Sequence, residues 1–141
     1  MNPIASVNDL IQQLATTLSK QIDDLLVSEI GLSHSQYRVL LALEWNPRAQ
    51  QKTIAIHLGQ TEASVSRQMR LLAESSLITI NQNPTNRRTH IIAVTPLGMK
   101  QTEAASAIIR RMYDPKHNAL GAARLQHLIQ ELHALQVAIT L

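Results

Sequence analysis

Apolar residues recur along most of the chain in steps of three and four, the spacing of one face of an α-helix. Only between residues 77 and 94 does the pattern change to the alternation of strands. At the amino end Ile4, Val7, Ile11, Leu14, Leu18, Gln21 and Leu25 form a heptad-like seam interrupted by one glutamine. Gly31 then stops the helix as a glycine just beyond its last turn does. Ser33 and Gln36 stand in the S-x-x-Q relation of a capping box and open a second helix through Tyr37, Val39, Leu40, Leu43 and Glu44, which Asn46-Pro47 closes. A third helix is predicted from Gln50 to Leu58, ending at Gly59. A fourth runs from Thr61 as N-cap to Ser75.

Leu77 to Asn81 and Thr89 to Val94 read as two strands joined by the loop NQNPTNRR, which places Arg87 and Arg88 at the projecting tip of a hairpin. Thr95-Pro96 starts a further helix, with Thr as N-cap and Pro at the first helical position. It is predicted to reach Met112, before Asp114-Pro115 and Gly121 interrupt the pattern. The last helix carries Leu125, Leu128, Leu132, Leu135 and Ile139. The expected fold class is mainly α with a small β-hairpin wing, and no internal repeat or low-complexity tract is visible.

Within TIAIHLGQTEASVSRQMRLL three positions have separate steric tasks. Ala55 lets the next helix approach closely, Gly59 takes a sharp turn, and Val65 packs the second helix back on the first, which is the pattern of a helix-turn-helix. Projected at about 100° per residue, Val65, Met69 and Leu72 share a face that reads as core. Ala63, Ser64, Ser66, Arg67 and Arg70 fall opposite, Gln68 lies at the flank, and Leu71 is expected to pack against the hairpin. A short-chained face with two arginines suits a major groove about 12 Å wide. Arg67 or Arg70 is placed to fork onto guanine, while Ser64 and Ser66 reach phosphate or base edges. Two adjacent cations at a turn repel each other unless something negative meets them. A hairpin directly after a recognition helix is a wing, and its arginines fit the negative potential of a narrow A·T-rich minor groove. The set expected to contact DNA is Thr61, Ser64, Ser66, Arg67, Gln68, Arg70, Asn86, Arg87, Arg88 and Thr89.

Charge sharpens this picture. Residues 1–47 carry two basic and five acidic side chains, residues 48–90 six and two, and residues 91–141 five and three, so the segment with the helix-turn-helix and wing is the electropositive one. The chain of 141 residues suffices for one structural unit with a real core. There is no 18-residue apolar run and no signal-peptide pattern, so no membrane partner is expected and the expected location is cytoplasmic. Cysteine is absent, which removes disulfides and thiolate chemistry. With no Phe and only Tyr37, Trp45 and Tyr113, base-stacking platforms are not expected and the core must be essentially aliphatic, with Trp45 expected to join it.

GLSHSQYRVLLALEW, the helix-turn-helix and NPTNRRTHIIAVTPLGMK resemble the MarR family of winged-helix transcriptional regulators, whose wing typically reads D-x-x-D-R-R-S followed by a strand and L-T-x-x-G. The resemblance spans residues 30 to 105 in motif and the whole chain in element order. It implies a homodimer, a palindromic operator on double-stranded DNA, recognition by the fourth helix and the wing, and often release by a small anionic or phenolic effector. In relatives the effector lies between the dimer helices and the DNA-binding lobes, which brings Tyr37, Arg38 and Trp45 into consideration without assigning them. Asn83 and Asn86 replace the usual wing acids, leaving the tip more positive. Ser75-Ser76 stands where the family commonly has glycine, so Ser76 takes a left-handed conformation or the turn differs.

The apolar seams at the two ends point to helical dimerisation segments, residues 1–31 and 96–141, flanking a DNA-binding region at 32–95. An intramolecular helical pair is the alternative cover for the seams, and Gln21 either sets register or is simply exposed. Histidines at 34, 57, 90, 117, 127 and 133 lack metal-ligand spacing, and no phosphate loop or nucleophile elbow occurs. No enzyme activity, metal or cofactor is therefore expected. The competing reading is a protein-binding winged helix of antirepressor type, against which the arginines at 67, 70, 87 and 88 weigh.

Overall fold

The computed structural model describes residues 3–141, with side chains from Ser6 onward, so the seam position Ile4 lies outside the described side chains. Helix α1 (Pro3–Ile30) is followed by α2 (His34–Trp45), α3 (Gln51–Leu58), α4 (Glu62–Glu74), strands β1 (Ile78–Asn83) and β2 (Asn86–Val94), α5 (Pro96–Asn118) and α6 (Ala122–Thr140). Six helices and one antiparallel hairpin are the order that the hydrophobic spacing predicts. The chain divides into two compact units, Met1–Ser106 and Ala107–Leu141, with the division falling inside α5.

The predicted stops and starts are made by the residues named for them. Gly31 sits at φ 67° and donates its N–H to the Val27 carbonyl at 3.1 Å. Ser33 Oγ accepts from the Gln36 N–H at 3.0 Å while Gln36 Oε1 accepts from the Ser33 N–H at 2.9 Å, completing the capping box. The His34 N–H is taken by Asp23 Oδ1 at 2.8 Å, which fastens the start of α2 to α1. In the first unit Leu26, Val39, Leu40, Leu43, Ile54, Val65, Met69, Leu72 and Ile78 are buried, and α2 packs against α1, α3, α4 and β2. These side chains are all aliphatic or Met, as the composition requires, and Tyr113 is the aromatic residue among the buried ones described. Trp45 is not part of the core: it ends α2 two residues beyond Leu43, about 200° round the helix from it, and is 73% exposed. Leu71, expected against the hairpin, is likewise exposed.

The hairpin differs most from expectation. NQNPTNRR reads as a long loop, but β1 and β2 run on until only Pro84 and Thr85 separate them. Pairing is regular from Ile78 opposite Val94 to Gln82 opposite His90, then jumps to Asn83 opposite Asn86. Arg87, Arg88 and Thr89 are thus extra residues on β2, in an irregularity beside the turn rather than at its apex. Helix α5 also exceeds its expected end at Met112, continuing through Pro115 to Asn118. The proline stands in the closing turns, where a missing N–H removes one bond rather than breaking a long ladder. Across that turn the Tyr113 and His117 rings stack at 5.9 Å and Lys116 Nζ lies 5.1 Å from the Tyr113 ring centre.

Ser76 takes the left-handed alternative, with φ 61°. Its carbonyl accepts from Thr95 Oγ1 at 2.7 Å, and the neighbouring Leu77 carbonyl accepts from the Thr95 N–H at 3.0 Å. Gly98 packs so closely that an added Cβ would overlap the Leu77 carbonyl oxygen and come within 2.7 Å of Val94 Cγ1. Ser76→Gly should raise stability by about 1 kcal/mol through relief of the left-handed strain. Gly98→Ala should lower it by about 3 kcal/mol through overpacking against backbone that cannot yield. Thermal melts of both variants check the two opposite signs.

His34 provides a pH handle. Half-burial, with Arg38 beside it, holds its imidazole below the usual 6.5, opposed by Asp23. The folded chain then binds this proton less readily than the unfolded chain, so stability is lost as pH falls through and below 6.5. His34→Gln should shrink the difference between urea midpoints measured above and below that value, and an undiminished difference would assign the acid sensitivity elsewhere.

Candidate nucleic-acid interface

The turn between α3 and α4 forms around Gly59, which is left-handed at φ 64°, and the Gln60 N–H returns to the Ala55 carbonyl at 2.9 Å. Buried Ala55 and Val65 fill the angle between the two helices. Thr61 caps α4 by accepting the Ser64 N–H at 3.1 Å, and Gln51 Nε2 donates to the Glu62 carbonyl at 3.1 Å, so the starts of α3 and α4 are tied together. Val65, Met69 and Leu72 are the buried face of α4, as projected, which turns Ser66, Arg67 and Arg70 to solvent and leaves Ser64 and Gln68 half-buried at the flanks.

The wing is held by the amides of Asn83 and Asn86, at the positions where the resembled wing pattern has acids. Asn83 Oδ1 accepts from the Thr85 N–H at 3.0 Å and from Thr85 Oγ1 at 2.8 Å, while Asn83 Nδ2 donates to Thr89 Oγ1 at 3.2 Å. Thr89 Oγ1 in turn donates to the Asn86 carbonyl at 3.1 Å, and Asn86 Oδ1 accepts from the Arg88 N–H at 3.1 Å. These side chains satisfy backbone groups that the irregular pairing leaves open. They do so without placing negative charge beside Arg87 and Arg88.

Between α4 and the hairpin lies a cleft of about 420 Å³. Ser66 and Arg70 of α4 and Arg88 and Thr89 of β2 line it, four of the residues predicted from sequence to touch DNA. Thr61, Ser64, Arg67, Gln68, Asn86 and Arg87 lie outside its walls. Of these, Thr61, Arg67, Asn86 and Arg87 are exposed nearby on the same two elements. Sequence reasoning missed Gln50, Gln51 and Lys52 from the start of α3, together with Glu62 and His90, which complete the polar lining. The signal for the first three was the helix-turn-helix itself, since a sharp turn that juxtaposes two helices brings their starts to one surface. Among the described residues none of Arg67, Arg70, Arg87 and Arg88 pairs with a carboxylate, whereas Lys20 and Asp24 pair on α1 at 2.9 Å. Unpaired guanidinium groups around a concave strip are suited to bind a polyanion.

The residues considered for an effector do not converge. Tyr37 shares a hydrogen bond with Ser106 Oγ at 3.0 Å, and Arg38 Nη2 makes a long contact with the Leu58 carbonyl at 3.5 Å. Trp45 instead borders a separate cavity of about 170 Å³ with Ile54 and His57. Among the described residues no group of three His, Asp or Glu is placed to hold a metal ion, and no helix is long and apolar enough to cross a membrane.

No curated protein matches the chain. The fold is similar to that of a MarR/EmrR family transcriptional regulator from Acinetobacter sp. ADP1, with a TM-score of 0.84 and 23% identity over 99% of both chains. It is also similar to a mutant MarR from E. coli complexed with operator DNA, with a TM-score of 0.81 and 16% identity over 95% of this chain and 96% of that one. A third likeness is CouR from Rhodococcus jostii RHA1 bound to p-coumaroyl-CoA, with a TM-score of 0.78 and 17% identity over 92% and 90% of the two chains. Residues 32–90 match the MarR family. The segment that matches holds the helix-turn-helix and most of the wing, and the fold as a whole is similar to that of solved MarR-family regulators.

Proposed function

We propose that this protein is a homodimeric, sequence-specific DNA-binding regulator of repressor type, working in the cytoplasm on a palindromic operator. Helix α4 enters the major groove and the Arg87-Arg88 segment of the wing reaches the adjacent minor groove. The observation that carries the reading is the cleft between α4 and β2, where Arg70 and Arg88 line opposite walls and neither is neutralised by a carboxylate among the described residues. The dimer rests on the seams: Val7, Leu14 and Leu18 of the α1 seam, with Leu10 beside them, and Leu128, Leu132 and Ile139 of α6 are exposed in the single chain, whereas the seam positions Ile11 and Leu25 are half-buried. A second copy would cover them, with residues 1–31 and 96–141 as the dimerisation region and 32–95 as the DNA-binding region. Release by a small-molecule effector belongs to the proposal without an assigned site, supported by the fold shared with a ligand-bound regulator. A purely protein-binding winged helix is disfavoured, because such a module has no physical need for arginines without carboxylate partners on both α4 and β2. The chemistry of the cleft is that of binding, and no catalytic role is proposed.

Selection of bound duplexes from a random DNA pool should return an inverted repeat whose half-site centres are about one helical turn, roughly 34 Å, apart. A pool without enrichment would leave the protein-binding reading. Light scattering should give a dimer for the native chain, and Leu14→Glu with Leu18→Glu should shift it toward monomer. Ala at both 87 and 88 should weaken binding to every sequence and flatten the dependence of log affinity on log salt by about 2, since each phosphate contact contributes about −0.9. An unchanged slope removes the wing from the interface. Arg67→Ala or Arg70→Ala should cost on the order of 1–3 kcal/mol and relax preference at one base pair if that arginine reads guanine. Retained preference in both variants assigns both to phosphate.

A further inference from the structure

We infer that Glu62 is a specificity-determining residue, whose carboxylate accepts a hydrogen bond from the N4 amino group of a cytosine in the major groove. The inference rests on the DNA-binding reading above and deepens it. Glu62 is the first residue of α4, and its carbonyl is fixed by Gln51 Nε2 at 3.1 Å, so the point where the recognition helix begins is anchored to α3. Its side chain is exposed and lines the cleft on one stripe with Ser66 and Arg70, one and two turns further along. Lys52, Arg88 and His90 occupy other parts of the lining, yet among the described residues no cation pairs with the Glu62 carboxylate.

A carboxylate in this place opposes the purpose of its neighbours. It repels the phosphates they attract, weakening binding to DNA of any sequence about twofold to threefold for one like charge some 8 Å away in water. An acid at a helix start does stabilise the helix dipole, and this accounts for its presence in the first turn. It does not account for its position on the stripe that faces the cleft, next to the residues best placed to meet base edges. The first turn of a recognition helix is the part that meets base edges. In the major groove the donors available to a carboxylate are the exocyclic amino groups of cytosine and adenine. Adenine presents its N7 acceptor beside the amino group, which repels the second carboxylate oxygen. Cytosine presents no such acceptor, so it is the matching base.

Random-pool selection with the full chain, as wild type, Glu62→Ala and Glu62→Gln, tests this. The wild type should enrich cytosine at one position in each half-site. Glu62→Ala should lose that preference by about tenfold while keeping the other positions, and should hold random-sequence DNA about twofold to threefold more tightly. Glu62→Gln should move the same position toward adenine, because an amide pairs with both N6 and N7. A change of preferred base cannot arise from a weakened helix end. An alanine profile identical to wild type, or affinity falling alike at every position, overturns the role of Glu62 and leaves the regulator reading standing. A wild-type chain that enriches no duplex overturns that reading and this inference with it.

Discussion

The recognition surface depends on a close backbone approach at the base of the wing. Leu77 donates its N–H to the Leu72 carbonyl at 2.9 Å, and its own carbonyl accepts from the Thr95 N–H at 3.0 Å, so one residue joins the end of α4, the start of β1 and the start of α5. Thr95 adds a second bond to Ser76 and caps α5 by accepting the Gly98 N–H at 3.0 Å. This geometry leaves no room for a side chain at Gly98 and forces Ser76 into a left-handed conformation. The strain is local and the return is rigidity. The helix that lines one side of the cleft and the strand that lines the other are referred to the same anchor, so Arg70 and Arg88 keep a fixed spacing without touching each other.

Those elements were legible in the sequence wherever a short-range rule had a single solution. The capping box at Ser33 and Gln36, the glycines at 31 and 59 and the threonine cap at 61 act within four residues of themselves, and the structure uses each of them as predicted. The failures share a different cause. Asn-Pro-Thr-Asn resembles a loop because each residue favours turns, but cross-strand pairing and the Asn83 and Asn86 side chains carry the strands almost to the apex. Pro115 reads as a stop, yet it falls late enough in α5 for the helix to tolerate the loss of one bond. Trp45, expected in the core, is exposed, and its angular position relative to Leu43 already points it outward. The cleft residues from α3 are invisible to a projection of one helix at a time, because the cleft is lined from α3, α4 and both strands of the hairpin.

The electrostatic design is one of separation. Acidic side chains outnumber basic ones in residues 1–47, and the basic excess is concentrated in residues 48–90. Arginines that paired with acids of their own chain would have to give up those partners before meeting a phosphate, and the exchange would return little net free energy. Keeping them apart leaves mutual repulsion in the free protein, which exposure to water and salt makes small. The asparagines of the wing follow the same logic. They supply the hydrogen bonds that hold Arg88 and Thr89 in place, while a carboxylate there would have neutralised part of the charge it positions.

The seams at the two ends of the chain relate to this design through geometry. Val7, Leu10, Leu14 and Leu18 occupy one side of α1 and are exposed in the single chain. Each is about half exposed, so covering four of them on each of two copies supplies on the order of 6 kcal/mol at about half of the roughly 1.5 kcal/mol that full burial gives, which lies at the low end of the roughly 4–15 kcal/mol of freedom lost on association. One seam alone therefore leaves little margin. In the proposed dimer the exposed apolar residues of α6 would be a second contribution of the same kind. A twofold dimer built on them would present two α4 helices in fixed relation. Each copy then needs to recognise only a short half-site, because the spacing between half-sites becomes part of what is read.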